Sequence, residues 1–358
     1  MDFFNSNIHI WYSFFKRELP WRNTRNPYFI WLSEIILQQT RINQGLAYYL
    51  RLTEEFPTLN DLANASEDQV LKLWQGLGYY SRARNLFFTA KFIQKHHHCK
   101  FPEDYHSIRS LKGIGDYTAA AIASISFNLE YPAVDGNVYR VLSRFFGIPE
   151  PIDSNAGKKV FNELAKELIK GSNPGMHNQA LMEFGAIQCT PKNPDCQRCP
   201  LIENCFAFGS DKISELPVKR NKTKQRDRYF NYLVFEYHNY TWLRQRKKND
   251  IWKGLFEFPL IETTEETDVA QLLTHSEWHK ITNCSGSTIR STSNWKIHIL
   301  SHQKIHFRFI QLGLSEEIGM SKELLRVNKE DILNFAVPKL VETFINELLK
   351  NENLVLKN

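Results

Sequence analysis

The first part of the chain carries apolar residues at helical spacing. Over residues 8–19 the apolar positions fall on one face of a helix, which Pro20 ends. The same spacing predicts further helices: one over 28–40, two over 41–75 with Pro57 between them and Ser66 as an N-cap, one over 138–146 and two over 155–188. This part of the chain is therefore predicted to be all-α.

The pattern changes after residue 228. Aromatic and β-branched residues crowd the runs 229–237, 255–260 and 295–300, which predicts strands, and helices are predicted at 267–275 and 338–350. Basic residues dominate the stretch just before the change and indicate a linker. The predicted organisation is a helical region at 1–208, a basic linker at 209–228 and an α+β domain at 229–358.

Length and composition fit two or three folded domains. The 358 residues are 42% hydrophobic, enough for compact cores, and the net charge of +6 gives a modest bias toward polyanions such as nucleic acids. The N-terminal sequence lacks the pattern of a signal peptide, and no apolar run is long enough to cross a membrane. We expect no membrane association and a cytoplasmic location, at the nucleoid if the source is bacterial.

Glu34 is the single charged residue of the apolar helical run at 28–40. A glutamate on an exposed helix face usually stays solvated, and that interpretation remains open. The neighbours of Glu34 are so apolar, however, that an exposed face is hard to assign. Burial would raise the pKa of this carboxyl, which suits a group that donates a proton near neutral pH.

Gly113 and Gly115 bracket one apolar residue between two helical segments. Glycine permits backbone angles that a side chain forbids, and N–H groups that converge at a helix N-terminus bind anions such as a DNA phosphate. A plain turn between helices explains the pattern equally well. Residues 76–85 combine glycines, aromatic residues and arginines in a second turn, which would suit either a nucleic-acid backbone or a corner between helices.

Asp135 precedes Gly136, Asn137 and a predicted helix. An aspartate in this place is an ordinary N-cap. The helix dipole and the backbone N–H groups would also keep its carboxylate ionised. We therefore predict that Glu34 is held protonated and Asp135 charged, and two carboxyl groups with separated pKa values are typical of glycosidic-bond chemistry.

Four of the six cysteines crowd into one loop, at Cys189, Cys196, Cys199 and Cys205. In a reducing compartment such crowding favours metal ligation over disulfides. Zinc sites usually use two separate Cys-x-x-Cys pairs, and only Cys196 and Cys199 have that spacing. The spacing favours four thiolates around a [4Fe–4S] cluster, with zinc as the alternative.

Several of these motifs together resemble the adenine DNA glycosylases of the MutY type, within the helix-hairpin-helix superfamily. The matching runs are 19–22, 31–40, 76–86, 111–122 and 134–141, with the four cysteines. The domain at 229–358 resembles the Nudix-like fold with which this family inspects the opposite base, through 252–259 and through Leu300-Ser301-His302, where the family often has Phe-Ser-His. The acid-rich helix of true Nudix hydrolases is absent from the sequence. The resemblance implies an all-α helix-hairpin-helix glycosylase core with an iron–sulfur loop, followed by an α+β Nudix-like domain.

The resemblance also implies a function, which is the excision of adenine mispaired with 8-oxoguanine or guanine in double-stranded DNA by a monomer. The adenine would be flipped out of the helix. Glu34 would then protonate it, Asp135 would stabilise the positive charge on the sugar, and Asn137 would orient Asp135. The other residues implied by the resemblance are Tyr117 in the same site, Trp21, Arg22 and Glu183 around the extruded base, Gln39 and Tyr79 as wedges, Thr40, Leu77 and Gly78 as further DNA contacts, Gly113 and Gly115 at a phosphate, and Ser301 and His302 at the opposite base.

Two alternatives remain. An endonuclease III-like bifunctional glycosylase and lyase needs a lysine nucleophile just after the hairpin glycines. Tyr117 stands there, which favours a monofunctional enzyme. A non-catalytic DNA-scanning iron–sulfur protein would keep the hairpin and the cysteines, but it would not need Glu34 and Asp135.

Overall fold

The computed structural model describes residues 2–220, 225–281, 287–315 and 323–355, the last five as backbone only. The chain divides into two compact units, one of Met1–Asn64 with Asn85–Asn221 and the other of Ala65–Arg84 with Lys222–Asn358. The segment 65–84 thus groups with the second unit, although the sequence places it within the predicted helical region. Lys72 shows one reason, since its Nζ donates to the Phe335 carbonyl at 3.2 Å.

Helices account for most of the chain up to the cysteine loop. In chain order they are α1 (Asp2–Phe15), α2 (Pro27–Leu37), α3 (Ile42–Glu55), α4 (Leu59–Asn64), α5 (Glu67–Leu73), α6 (Ser81–His97), α7 (Tyr105–Ser110), α8 (Asp116–Phe127), α9 (Gly136–Phe146), α10 (Asn155–Ile169), α11 (Pro174–Ile187) and α12 (Phe206–Gly209). Single 3₁₀ turns occur at Pro20–Arg22, Cys196–Arg198 and Ile202–Asn204.

Several helix boundaries differ from the prediction. The helix expected over 8–19 starts at Asp2, because Phe4 in its first turn is also buried. It ends at Phe15. The helix expected over 28–40 ends at Leu37, and Gln39 beyond it has a φ of 55°. Three helices occupy 41–75 instead of two, while the N-cap at Ser66 is confirmed by a complete capping box.

The core of the first unit lies between α1, α9, α10 and α11. Phe161 and Phe184 are fully buried in it, and Phe4 of α1 joins the same cluster, with its ring centroid 4.8 Å from that of Phe145. Helix α8 is buried over Ala119–Ala123 and packs against both α2 and α11. These contacts bring the N-termini of α8 and α9 next to α2 and α11, where the candidate site forms.

Strands dominate the second unit and form two sheets. They are β1 (Arg226–Glu236), β2 (Tyr240–Gln245), β3 (Phe256–Glu257), β4 (Leu260–Thr263), β5 (Ser287–Thr292), β6 (Lys296–Ile299), β7 (Gln303–Leu314) and β8 (Leu324–Asn328). One sheet has the order β4-β1-β7-β5 with β6 also paired to β7, and the other has the order β3-β2-β8. Strands β1 and β7 are parallel, with Phe230 opposite Phe307, and the remaining pairs are antiparallel.

Helices cover both faces of the larger sheet. Helix α13 (Val269–Leu273) and helix α14 (Ser276–Ile281) pack on one face through Leu272 and Trp278. Helix α15 (Lys339–Val355) covers the other, where Phe344 stacks on Phe309 with ring centroids 3.8 Å apart. The α+β prediction for this part is confirmed. In the described part of the chain, no helix has the length and apolar character needed to span a membrane.

The start of β1 lies inside the stretch predicted as a linker. Residues 221–224 of that stretch are outside the described residues. Arg228 is buried in the sheet, where its guanidinium pairs with Asp250 at 2.8 Å and with Glu262 at 2.6 Å. In the sequence, a basic residue paired inside a domain looks the same as a solvated one.

Candidate active site

A cavity of about 180 Å³ lies in the first unit, between α2, α8, α9 and α11. Eight of the residues predicted for the site line it, namely Trp21, Arg22, Glu34, Thr40, Tyr117, Asp135, Asn137 and Glu183. The cavity is therefore formed by elements that are far apart in the sequence. Both carboxyl groups predicted for the chemistry face into it.

Glu34 lies on α2, a helix in which most residues are buried. Its own exposure is 9%, so the burial expected from the apolar sequence is confirmed. The pKa of Glu34 is raised to about 7, mainly by burial; a hydrogen bond with Tyr117 acts against this rise, and the charge of Asp135 adds to it. This carboxyl can hold a proton near neutral pH and give it up within the cavity.

Asp135 caps the N-terminus of α9, as predicted. Its Oδ1 accepts from the backbone N–H groups of Asn137 at 2.9 Å and Val138 at 2.8 Å, and its Oδ2 accepts from the Asn137 amide at 2.7 Å. Burial nevertheless raises the pKa of Asp135, while these bonds and the charge of Arg140 act in the opposite direction. The sequence indicates the cap but not the burial, which acts on this pKa against the cap, and the charged state of Asp135 stays a prediction.

Arg140 is a site residue that the sequence did not reveal. Its buried guanidinium donates to Asn137 Oδ1 at 2.9 Å, to the Gly185 carbonyl at 2.6 Å and to the Cys189 carbonyl at 2.7 Å. It therefore links the residue that supports Asp135 to the first cysteine of the loop. A signal was present in the sequence, since Arg140 stands on a helix that is otherwise apolar at this turn.

Glu183 lines the same cavity together with two arginines. Arg17 and Arg22 each approach its Oε2 to 2.6 Å. Burial alone would raise the pKa of Glu183, but hydrogen bonds from these two arginines outweigh it and lower the pKa to about 2. Sequence analysis missed Arg17, which follows α1 and lies 166 positions away from its partner.

Tyr117 stands at the start of α8, directly after the hairpin. Its hydroxyl lies 3.1 Å from Met182 Sδ and can give its single hydrogen either to that sulfur or to Glu34. Burial raises the pKa of Tyr117 well above its ordinary value, so the phenol stays neutral. Met182 and Gln179 also line the cavity, and the sequence gave no reason to choose them from the other residues of α11.

Three predicted DNA contacts of the first unit lie outside this cavity. Gln39 is exposed just beyond α2. Gly113 and Gly115 form the turn between α7 and α8, as predicted. Gly113 has a φ of 82°, and a Cβ there would lie 2.7 Å from Asn85 Cβ, so both its conformation and its surroundings require glycine.

The remaining predicted contacts lie together in the second unit. Leu77, Gly78, Tyr79, Ser301 and His302 line a cavity of about 450 Å³. The hydroxyl groups of Tyr79 and Ser301 are hydrogen-bonded to each other. Ser301 and His302 are exposed in the turn between β6 and β7, which fits a role in contacting a large ligand.

The cysteine loop follows α11. Cys189, Cys196, Cys199 and Cys205 are free thiols, and each is partly buried. Arg144 donates to Cys189 Sγ at 3.5 Å and to the Thr190 carbonyl at 2.7 Å. The described residues include no group of three histidine, cysteine, aspartate or glutamate side chains arranged to hold a metal ion. The chemistry of this loop, with four thiols beside a buried arginine, nevertheless fits an anionic iron–sulfur cluster held by thiolates.

Comparison with known proteins gives the family. Residues 32–170 match the HhH-GPD superfamily of base excision DNA repair proteins, and residues 231–347 match the NUDIX domain. An adenine DNA glycosylase of Buchnera aphidicola subsp. Baizongia pistaciae (strain Bp) is 36% identical, with 87% of each chain covered. The chain belongs to the adenine DNA glycosylase family.

Other relatives of this family agree. The adenine DNA glycosylase of Arabidopsis thaliana is 38% identical over 73% of this chain and 48% of its own length. Among solved structures, a thermostable thymine-DNA glycosylase is similar with a TM-score of 0.54 and 29% identity, over 58% of this chain and 95% of its own. The helical glycosylase core followed by a Nudix-like domain, predicted from sequence, is thus confirmed.

Proposed function

We propose that this protein is a base-excision-repair enzyme that removes adenine from double-stranded DNA where adenine is mispaired with 8-oxoguanine or guanine. The observation that carries the proposal is the pair of buried carboxyl groups, Glu34 and Asp135, facing one cavity. Membership of the adenine DNA glycosylase family supports adenine as the base removed. The flipped adenine would occupy this cavity, because its reacting bond is out of reach inside the duplex.

The two carboxyl groups would divide the chemistry between them. Glu34, with a pKa of about 7, would protonate the ring of the adenine at N7 and make it a better leaving group. The N-glycosidic bond then breaks with its electron pair on adenine, and positive charge develops on the sugar. Water adds to the sugar and loses a proton, which balances the proton that Glu34 gave to adenine. Asp135 is the better choice for the ionised partner, because three N–H groups point at its carboxylate.

The part of the cavity lined by Arg17, Trp21, Arg22 and Glu183 would recognise the base. Glu183 is ionised between Arg17 and Arg22, so it offers fixed acceptors while the arginines offer donors. Trp21 supplies a flat apolar surface and is held edge-on to Tyr49, with ring centroids 5.0 Å apart. Adenine has an exocyclic amine, which Glu183 can accept from, and ring nitrogen acceptors, to which the arginines can donate.

Hydrolysis without strand cleavage is part of the proposal. A lyase uses a lysine amine as its nucleophile, and Tyr117 stands at the corresponding place with a phenol that stays neutral. The chain therefore offers no amine at that place to attack the sugar. The expected product is an abasic site in an intact strand.

The remaining predicted residues would bind the DNA around the site. Gln39 and Tyr79 would wedge into the stack, Thr40, Leu77 and Gly78 would make further DNA contacts, and the turn at Gly113 and Gly115 would hold a phosphate. Ser301 and His302 would read the opposite base. The protein would act as a monomer in the cytoplasm, at the bacterial nucleoid, where its substrate is found.

The four cysteines would hold a [4Fe–4S] cluster, with Arg144 beside Cys189 offsetting its negative charge. When bound, this cluster would act as a staple that shapes the loop. Lys192 and Arg198 are exposed on that loop, where they would meet DNA phosphates.

Single-turnover adenine release from duplexes that carry adenine opposite 8-oxoguanine, guanine, cytosine or thymine tests the proposal. We expect rapid release opposite 8-oxoguanine and guanine, and much slower release opposite cytosine and thymine. Equal rates on all four duplexes would contradict the mispair assignment. Absence of adenine release from all four would contradict the enzyme assignment.

A further inference from the structure

One buried side chain of α11 holds the backbone just before Asp135. Asn178 is 2% exposed and lies on the side of α11 that faces α8. Its Nδ2 donates to the Tyr131 carbonyl at 2.8 Å, and its Oδ1 accepts from the Ala133 N–H at 3.0 Å. The second hydrogen of the same amide goes to Ser124 Oγ on α8, at 2.8 Å. Three of the four hydrogen-bonding positions of this amide are thus used.

The segment that Asn178 contacts has no regular secondary structure. It leaves α8 through the left-handed residue Asn128, whose φ is 58°, and returns to the N-terminus of α9. Ala133 is buried, and only Val134 separates it from Asp135. Buried backbone N–H and C=O groups need partners, and outside a helix or sheet side chains often supply them. Asn178 supplies two of them.

The same face of α11 reaches two more parts of the site. Met182 follows Asn178 at i+4, and its Sδ lies 3.1 Å from the Tyr117 hydroxyl. Gly185 follows at i+7, and a Cβ there would lie 2.7 Å from Asn137 Cβ. One stripe of α11 therefore contacts Tyr117, Asn137 and the segment before Asp135.

We infer that Asn178 is a positioning residue for excision, which fixes the backbone that presents Asp135 to the cavity. The inference rests on the proposed function, because it assigns Asn178 a role in that reaction. Without the amide, the Tyr131 carbonyl and the Ala133 N–H lose their partners and the segment must shift to find others. A displacement of about 1 Å at the reacting groups is enough to slow an enzyme by about a hundredfold.

The test compares Asn178→Ala with Ser124→Ala in the full-length protein carrying its cluster. Ser124→Ala removes the bond between α11 and α8 but keeps both bonds to the segment before Asp135. One measurement is the single-turnover rate of adenine release opposite 8-oxoguanine. The other is affinity for the same duplex carrying 2′-fluoro-2′-deoxyadenosine, whose fluorine blocks cleavage of the glycosidic bond.

We expect Asn178→Ala to slow release by about 10- to 100-fold with little change in affinity, and Ser124→Ala to stay close to wild type. A wild-type rate in Asn178→Ala would overturn the inference, and so would a loss of affinity as large as the loss of rate. If Asn178→Ala does not fold, Asn178→Asp replaces it, because a carboxylate keeps an acceptor for the Ala133 N–H and has no N–H to donate to the Tyr131 carbonyl. A wild-type rate in Asn178→Asp would also overturn the inference. A wild-type protein that releases no adenine would contradict the proposed function instead.

Discussion

Burial of Glu34 makes the stability of this protein depend on pH. Its pKa in the folded protein is about 7, against an ordinary value of 4.5. The folded state therefore binds this proton more tightly than the unfolded chain does. The stability that Glu34 contributes is fully present below pH 4.5 and is lost as the pH rises through about 7. The difference between the two pKa values corresponds to about 3 kcal/mol of unfolding free energy.

Glu34→Gln removes this titration and keeps the shape of the side chain. At pH 5 the variant and the wild type should have similar stability. At pH 8 and above the variant should be the more stable protein by about 3 kcal/mol. A stability change of 1 kcal/mol moves the melting temperature of a unit of this size by about 2 to 4 °C. The gap in melting temperature should therefore reach several degrees.

Melting curves of both proteins from pH 5 to pH 9, recorded without oxygen, measure this gap. Glu163→Gln is the matched control, because the Glu163 side chain is 64% exposed on α10 and its replacement leaves the buried carboxyl of Glu34 in place. A gap between Glu34→Gln and wild type that stays constant with pH would refute the reasoning. A variant less stable than wild type at pH 8 would refute it as well.

Three other predictions concern different parts of the molecule. Protein purified without oxygen should contain iron and sulfide in equal amounts, about four of each per chain; stoichiometric zinc without sulfide would contradict the cluster. The DNA product should break only on treatment with alkali or heat, and a borohydride-trapped adduct in similar yield would contradict a monofunctional enzyme. Ser301→Ala with His302→Ala should reduce the preference for 8-oxoguanine over guanine by about 1 kcal/mol per hydrogen bond lost. An unchanged ratio of the single-turnover rates opposite 8-oxoguanine and guanine would show that these two residues only form a turn.

The parts of the site that could be predicted have local signals. The apolar neighbours of Glu34 indicated its burial, and the place of Asp135 before a helix indicated its cap. The spacing of the cysteines placed four thiols in one loop. Each of these signals lies within a short stretch of sequence, where helix periodicity and capping operate.

The parts that could not be predicted depend on residues brought together by folding. Arg17 and Glu183 form one wall of the cavity although 166 positions separate them. Burial of Asp135 raises its pKa and comes from walls supplied by other helices, which the capping pattern alone does not show. Arg228 looked like part of a basic linker because its partners Asp250 and Glu262 are distant in the sequence.

The most direct test of the account is the pH dependence of single-turnover adenine release opposite 8-oxoguanine, by wild type and by Glu34→Gln and Asp135→Asn. The wild-type rate should fall as the pH rises through about 7, because Glu34 then loses the proton it must donate. Glu34→Gln should bind the mispair and release no adenine, and Asp135→Asn should be slower than wild type by at least about a hundredfold. A wild-type rate in either variant would contradict the roles assigned to the two carboxyl groups.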